Sequence, residues 1–101
     1  MAPDRIRLDL NDAEFQKDLF NLPKQQLLSV LGALRKLSQM SWDQLYRDPG
    51  FRWELIRTRV DPREKRLYSF RIGRGFRAVA RRDDEWLKMV SLHPDHDSAY
   101  E

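Results

Sequence analysis

The chain has 101 residues, 41% of them apolar and 35% charged, with three Trp, three Tyr and five Phe. That is the length of one domain, residues 1–101, and the aromatic content is too high for a disordered tail. No cysteine is present, which excludes a disulfide scaffold, a Cys-ligated zinc site and a Cys nucleophile, and suits a reducing cytoplasm.

The net charge of +3 is unevenly spread. Residues 1–50 carry seven basic and seven acidic side chains, residues 51–82 eleven basic and three acidic, and residues 83–101 one basic and six acidic. A basic block of this kind is the electrostatic footprint of a polyanion ligand, set against the plainer reading of a solvated arginine face. The first residues are charged and lack the apolar core of a signal peptide, and Leu27 to Leu34 is too short to span a bilayer. A cytoplasmic protein with no membrane partner is the expectation.

In chain order, Ile6, Leu8 and Leu10 alternate with Arg7 and Asp9, the period of a short strand. Asn11 or Asp12 caps a short helix through Phe15, Leu19 and Phe20. Pro23 suits the first turn of a second helix, in which Leu27, Leu28, Leu31, Leu34 and Leu37 share a predicted buried face. Gly32 weakens that helix by about 1 kcal/mol relative to Ala and marks a candidate close approach. Ser41-Trp42-Asp43-Gln44 has the pattern of a capping box and starts one more turn, which Asp48-Pro49-Gly50 ends. After Gly50 the period changes from 3.6 to 2. Phe51, Trp53 and Leu55 alternate with Arg52 and Glu54, and residues 61–65 form a turn or loop. Leu67–Ile72, Phe76–Arg82 and Trp86–Leu92 read as strands separated by Gly73-Arg74-Gly75 and Asp83-Asp84-Glu85. The expected class is α+β: a short N-terminal strand, two to three helices, then an antiparallel β-sheet.

A three-residue loop at Gly73–Gly75 sets Ile72 opposite Phe76, Phe70 opposite Ala78 and Tyr68 opposite Ala80, an apolar face that matches large to small. The other face then sets Arg71 opposite Arg77, Ser69 opposite Val79 and Leu67 opposite Arg81. Directly opposed like charges destabilise a sheet, so folding gives no reason for the arginine pair, whereas a bound phosphate does. Splaying into water, or meeting Asp and Glu, is the alternative. Arg81 is placed on the same face, Arg74 at the hairpin tip is a peripheral phosphate contact or simply solvated, and Arg52, Arg57, Arg59, Arg63, Lys65 and Arg66 extend the positive field, each on its own reading as a surface charge.

Both histidines, His93 and His96, fall in the C-terminal segment with Asp95, Asp97 and Tyr100. Imidazole suits proton transfer near neutrality, and a tyrosine can donate a proton or stack on a base. A metal site is the weaker reading, because three ligands within five residues are an incomplete set. A structural role for His93 at the strand end is a further alternative.

With these residues together, the sequence resembles the RelE/ParE superfamily of toxins from type II toxin–antitoxin modules. The resemblance covers nearly the whole chain. It is sharpest at Tyr68-Ser-Phe-Arg-Ile-Gly-Arg-Gly-Phe-Arg77-Ala-Val and at His93-Pro-Asp-His96-Asp-Ser-Ala-Tyr100. It implies an RNase that cleaves mRNA, often on the ribosome, through attack by the RNA 2′-hydroxyl, with no metal or other cofactor. Arg77 would stabilise the charged phosphorane, Arg71 would hold the scissile phosphate, and His96, Tyr100 or His93 would serve in acid/base or stacking roles. Arg81, Arg74, Arg66 and Lys65 would hold RNA. Some relatives carry lysines where this chain has Ser69 and Arg71, and a permanently charged arginine is a poor general base. The resemblance also implies a cognate antitoxin as partner. The alternatives are a ParE-like inhibitor of DNA gyrase and a degenerate member that only binds its antitoxin; acid/base groups in the tail favour the RNase.

Overall fold

The computed structural model describes residues 5–60 and 66–94. The chain runs β1 (Arg7–Asp9), α1 (Ala13–Phe20), α2 (Lys24–Leu37), α3 (Trp42–Arg47), β2 (Glu54–Val60), β3 (Arg66–Gly73), β4 (Phe76–Asp83) and β5 (Trp86–His93). The five strands form one sheet in the order β1-β5-β4-β3-β2. The last four make an antiparallel meander, while β1 pairs with β5 in parallel, Leu8 against Leu87. The sheet is therefore mixed, where the sequence predicts an antiparallel one; the alternation in residues 6–10 fixes a strand but not its neighbour.

Local chemistry starts each helix. Asp12 caps α1, its Oδ1 accepting from Phe15 N at 3.0 Å. Pro23 caps α2 without a side-chain bond. The capping box forms in full at α3: Gln44 N donates to Ser41 Oγ at 3.1 Å and Ser41 N to Gln44 Oε1 at 2.8 Å.

Helix side chains Phe15, Leu19, Val30, Leu34, Leu37, Trp42 and Leu45 pack with Phe70, Ala78, Ala80, Leu87, Met89 and Leu92 of the sheet. The opposite face carries a smaller cluster of Ile56, Leu67 and Val79, with Val90 against it. On α2 the buried seam is Val30, Leu34 and Leu37, with Leu27 half-buried, and Leu28 and Leu31 stay exposed. The leucine-rich stripe is wider than the surface the sheet covers, so its flank faces outward. Nor does Gly32 mark a close approach: a Cβ built there meets nothing within 4 Å.

The β3–β4 hairpin pairs Tyr68 with Ala80, Ser69 with Val79, Phe70 with Ala78 and Arg71 with Arg77, as the sequence predicts. Ile72 does not face Phe76. Gly73 does, with a register shift between Arg71 and Gly73. The turn is shorter by one residue, Gly75 adopts φ +69, and a bulge at Ile72 restores the register.

Candidate active site

Strand alternation puts Ser69 and Arg71 of β3, Arg77 and Val79 of β4, and Ser91 and His93 of β5 on the face away from the helices. The pairing continues across strands, Ser69 to Glu54 of β2, Val79 to Ser91, and Arg77 to His93. Two adjacent rows result: Glu54–Ser69–Val79–Ser91, and Arg71–Arg77–His93. The second row spans about 10 Å between its outer Cα atoms.

Arg77 is only 4% exposed. Its Nη2 donates to the backbone O of Arg52 and to Ser69 Oγ, both at 2.9 Å, and lies 3.8 Å from Glu54 Oε2. The expectation that folding gives no reason for the arginine pair is corrected here. Arg77 has a folded-state role, fixed by a buried hydroxyl, a carbonyl and a carboxylate. Its Nε is buried without a hydrogen-bond partner. Arg71, by contrast, is exposed, so the opposed charges are one anchored guanidinium and one solvated one.

Arg52 completes the group. It sits just before β2 with φ 50, a left-handed conformation that costs a non-glycine residue about 1–2 kcal/mol. The loop that imposes it is tied by Asp48, whose Oδ1 accepts from Gly50 N at 2.7 Å and Phe51 N at 3.0 Å. The backbone is held on the other side by Arg71 N donating to Phe51 O at 2.6 Å. Strain of this kind gathers where a residue must be aimed. Here it places the Arg52 carbonyl on Arg77, and its side-chain Nε lies 3.8 Å from Glu54 Oε1.

Arg52, Arg71, Gly73, Gly75 and Arg77 line one cavity of about 120 Å³. Three guanidinium groups around a space of that size, with two residues that lack a Cβ, suit a phosphate-sized anion. His93 stands at the far side of Arg77, its Nε2 sharing a hydrogen bond of 2.8 Å with the buried Ser91 Oγ. Glu54 is about half-exposed beside Arg52 and Arg77.

The remaining predicted site residues are distributed as follows. Arg74 is exposed in the hairpin turn next to the cavity. Arg81 is half-buried four residues along β4, about 13 Å from Arg77, and lines a different cavity with Asp9, Asp12 and Lys88. Arg66 is exposed at the far end of β3. Lys65, His96 and Tyr100 lie outside the described residues. Sequence reasoning missed Arg52 as more than a surface charge, and missed Glu54 altogether. The alternation of Phe51, Trp53 and Leu55 placed both on one face, but only the pairing of β2 with β3 brings that face to Arg77. Among the described residues, no group of three His, Asp or Glu is placed to hold a metal ion, and no helix is long and apolar enough to cross a membrane.

No protein-family model and no curated protein matches the chain. Among solved structures it is similar to one described as an archaeal RelE–RelB complex from Pyrococcus horikoshii OT3. The TM-score is 0.61 and the identity 21%, over 89% of this chain and 94% of that one. A copper-bound mutant toxin from Helicobacter pylori aligns more loosely, at TM-score 0.49 and 22% identity, over 92% and 97% of the two chains. The short strand, three helices and five-stranded mixed sheet are thus a fold shared with the archaeal RelE–RelB structure.

Proposed function

We propose that this protein is the toxin of a toxin–antitoxin pair, acting in the cytoplasm as an endoribonuclease on mRNA, most effectively on the ribosome. The observation that carries the reading is Arg77, buried and anchored at the wall of an arginine-lined cavity, with Arg71 across one strand and His93 across the other. RNA supplies its own nucleophile. The 2′-oxygen attacks the adjacent phosphorus, the bond from phosphorus to the 5′-oxygen breaks, and a 2′,3′-cyclic phosphate remains. A base takes the 2′-proton and an acid protonates the leaving 5′-oxygen. Arg77, Arg71 and Arg52 stabilise the charge that develops on the phosphorane. These fixed cations fill the role that a divalent ion has in other nucleases, so the reaction needs no metal.

Glu54 and His93 flank the arginine row on opposite sides, the arrangement that in-line displacement asks of a base and an acid. His96 and Tyr100 keep the acid/base or stacking roles that the family resemblance gives them. An acidic antitoxin, complementary to the basic 51–82 block, is the expected partner. Inducible expression followed by mapping of mRNA 5′ ends tests the reading. New ends within coding regions, lost in Arg71→Ala, support it; growth arrest with intact mRNA and trapped gyrase–DNA complexes would transfer the protein to the gyrase-poison class.

A further inference from the structure

A second cavity, of about 270 Å³, adjoins the arginine cavity and shares Arg71 with it. Its other lining residues are Gly32, Ala33 and Lys36 of α2, Gly50 and Phe51 of the following loop, and Ile72. We propose that this cavity is a nucleobase subsite, holding the base next to the phosphate bound by Arg52, Arg71 and Arg77. The inference rests on the RNase reading and adds where base identity is sensed.

Five observations carry it. Arg71 lines both cavities and its N donates to the O of Phe51 in the wall of this one, so an occupant of one is a neighbour of an occupant of the other. The volume is just below the roughly 300–1,000 Å³ of sites for drug-sized molecules, which suits a single base or nucleoside. The wall is apolar at Phe51, Ile72 and Ala33 and cationic at Lys36 and Arg71, the mixture that single-stranded nucleic acid meets where bases stack and phosphates stay solvated. The Lys36 ammonium already lies over the Phe51 ring, 5.4 Å from its centroid, so the ring is reached from the cavity side by a cation that a stacked base can displace toward the phosphate. Finally, Gly32 keeps the space open. No packing requires a glycine there, since a Cβ meets nothing within 4 Å, and Ala would give a more stable helix. A side chain at position 32 would fill the cavity.

The test titrates the full chain with the four nucleoside 3′-monophosphates and with ribose 5-phosphate, followed by backbone amide shifts. In the parent, nucleotides move the Gly32, Ala33 and Ile72 amides together with those of Gly73 and Gly75. Ribose 5-phosphate moves only Gly73 and Gly75. One nucleotide binds at least several-fold more tightly than another. Gly32→Leu weakens nucleotide binding about tenfold with no loss of thermal stability, leaves ribose 5-phosphate binding unchanged, and flattens the preference among bases; Gly32→Ala lies between. If ribose 5-phosphate binds as tightly as the nucleotides and Gly32→Leu changes neither, the subsite assignment is wrong, while the phosphate site and the RNase reading stand. If neither class of probe moves the Gly73 and Gly75 amides, the phosphate site fails and the subsite falls with it.

Discussion

Arg71 and Arg77 face each other across a strand pair, yet substitution separates them sharply. Arg71 is exposed, so Arg71→Ala should change stability by less than about 0.5 kcal/mol, while cleavage should fall about 10²–10³-fold with the loss of a charge that the proposed mechanism sets against the phosphorane. Arg77→Ala loses both. It removes the hydrogen bonds to the fully buried Ser69 hydroxyl and to the Arg52 carbonyl, at a cost of about 1–3 kcal/mol. Thermal melting paired with RNA cleavage for the two variants checks this, and equal melting of Arg77→Ala and the parent would contradict the anchoring. Arg52 gives the opposite sign. Arg52→Gly relieves the left-handed backbone, so the variant melts no lower than the parent but cleaves more slowly. The Arg71–Arg77 opposition was legible in the sequence because alternation and a short loop fix it. Its meaning was not. The anchors of Arg77 come from Ser69 on β3, from Glu54 on β2 and from Arg52 in the loop just before it, and no local pattern reveals that β2 pairs with β3.

Among the elements, the helices were the most readable, since their starts are written in side chains that bond their own backbone. Asp12 and the Ser41–Gln44 box formed as expected, and Ser41→Ala should lower stability by about 1 kcal/mol, readable by denaturant unfolding. Their outer faces were less readable. A leucine every third or fourth residue indicates a helix, not how much of its circumference the sheet covers, which is why Leu28 and Leu31 remain exposed. The loop after α3 was the most consequential element to escape. Asp48 shapes it through two backbone amides, and through it aims Arg52. Asp48→Ala should therefore cost about 1 kcal/mol of stability but slow cleavage tenfold or more, because small displacements at a charge-stabilising group are amplified in rate. A parallel loss in Arg52→Gly, with no further loss when the two are combined, would identify the loop as the route.

For the whole molecule, the basic block has become a face. Three arginines from residues 52–77 converge on one phosphate-sized cavity, so the affinity for single-stranded RNA should fall with salt at a log–log slope of about −0.7 from that phosphate alone, and more steeply for each further phosphate the basic block meets. A slope near zero in a binding titration across 50–200 mM salt would mean that the arginines do not meet phosphate. The topology also has a bearing on how such a protein is made. Pairing of β1 with β5 joins residues 7–9 to residues 86–88, and the site row needs His93 from the same last strand. Contacts so distant in sequence form late, since the intervening chain must first be ordered. On the ribosome the helices and the first hairpins can collapse early, but β5 has not yet emerged, so neither the sheet nor the site can close. A ribonuclease of the kind proposed would then have no working site until residues 86–93 had left the ribosome that is making it.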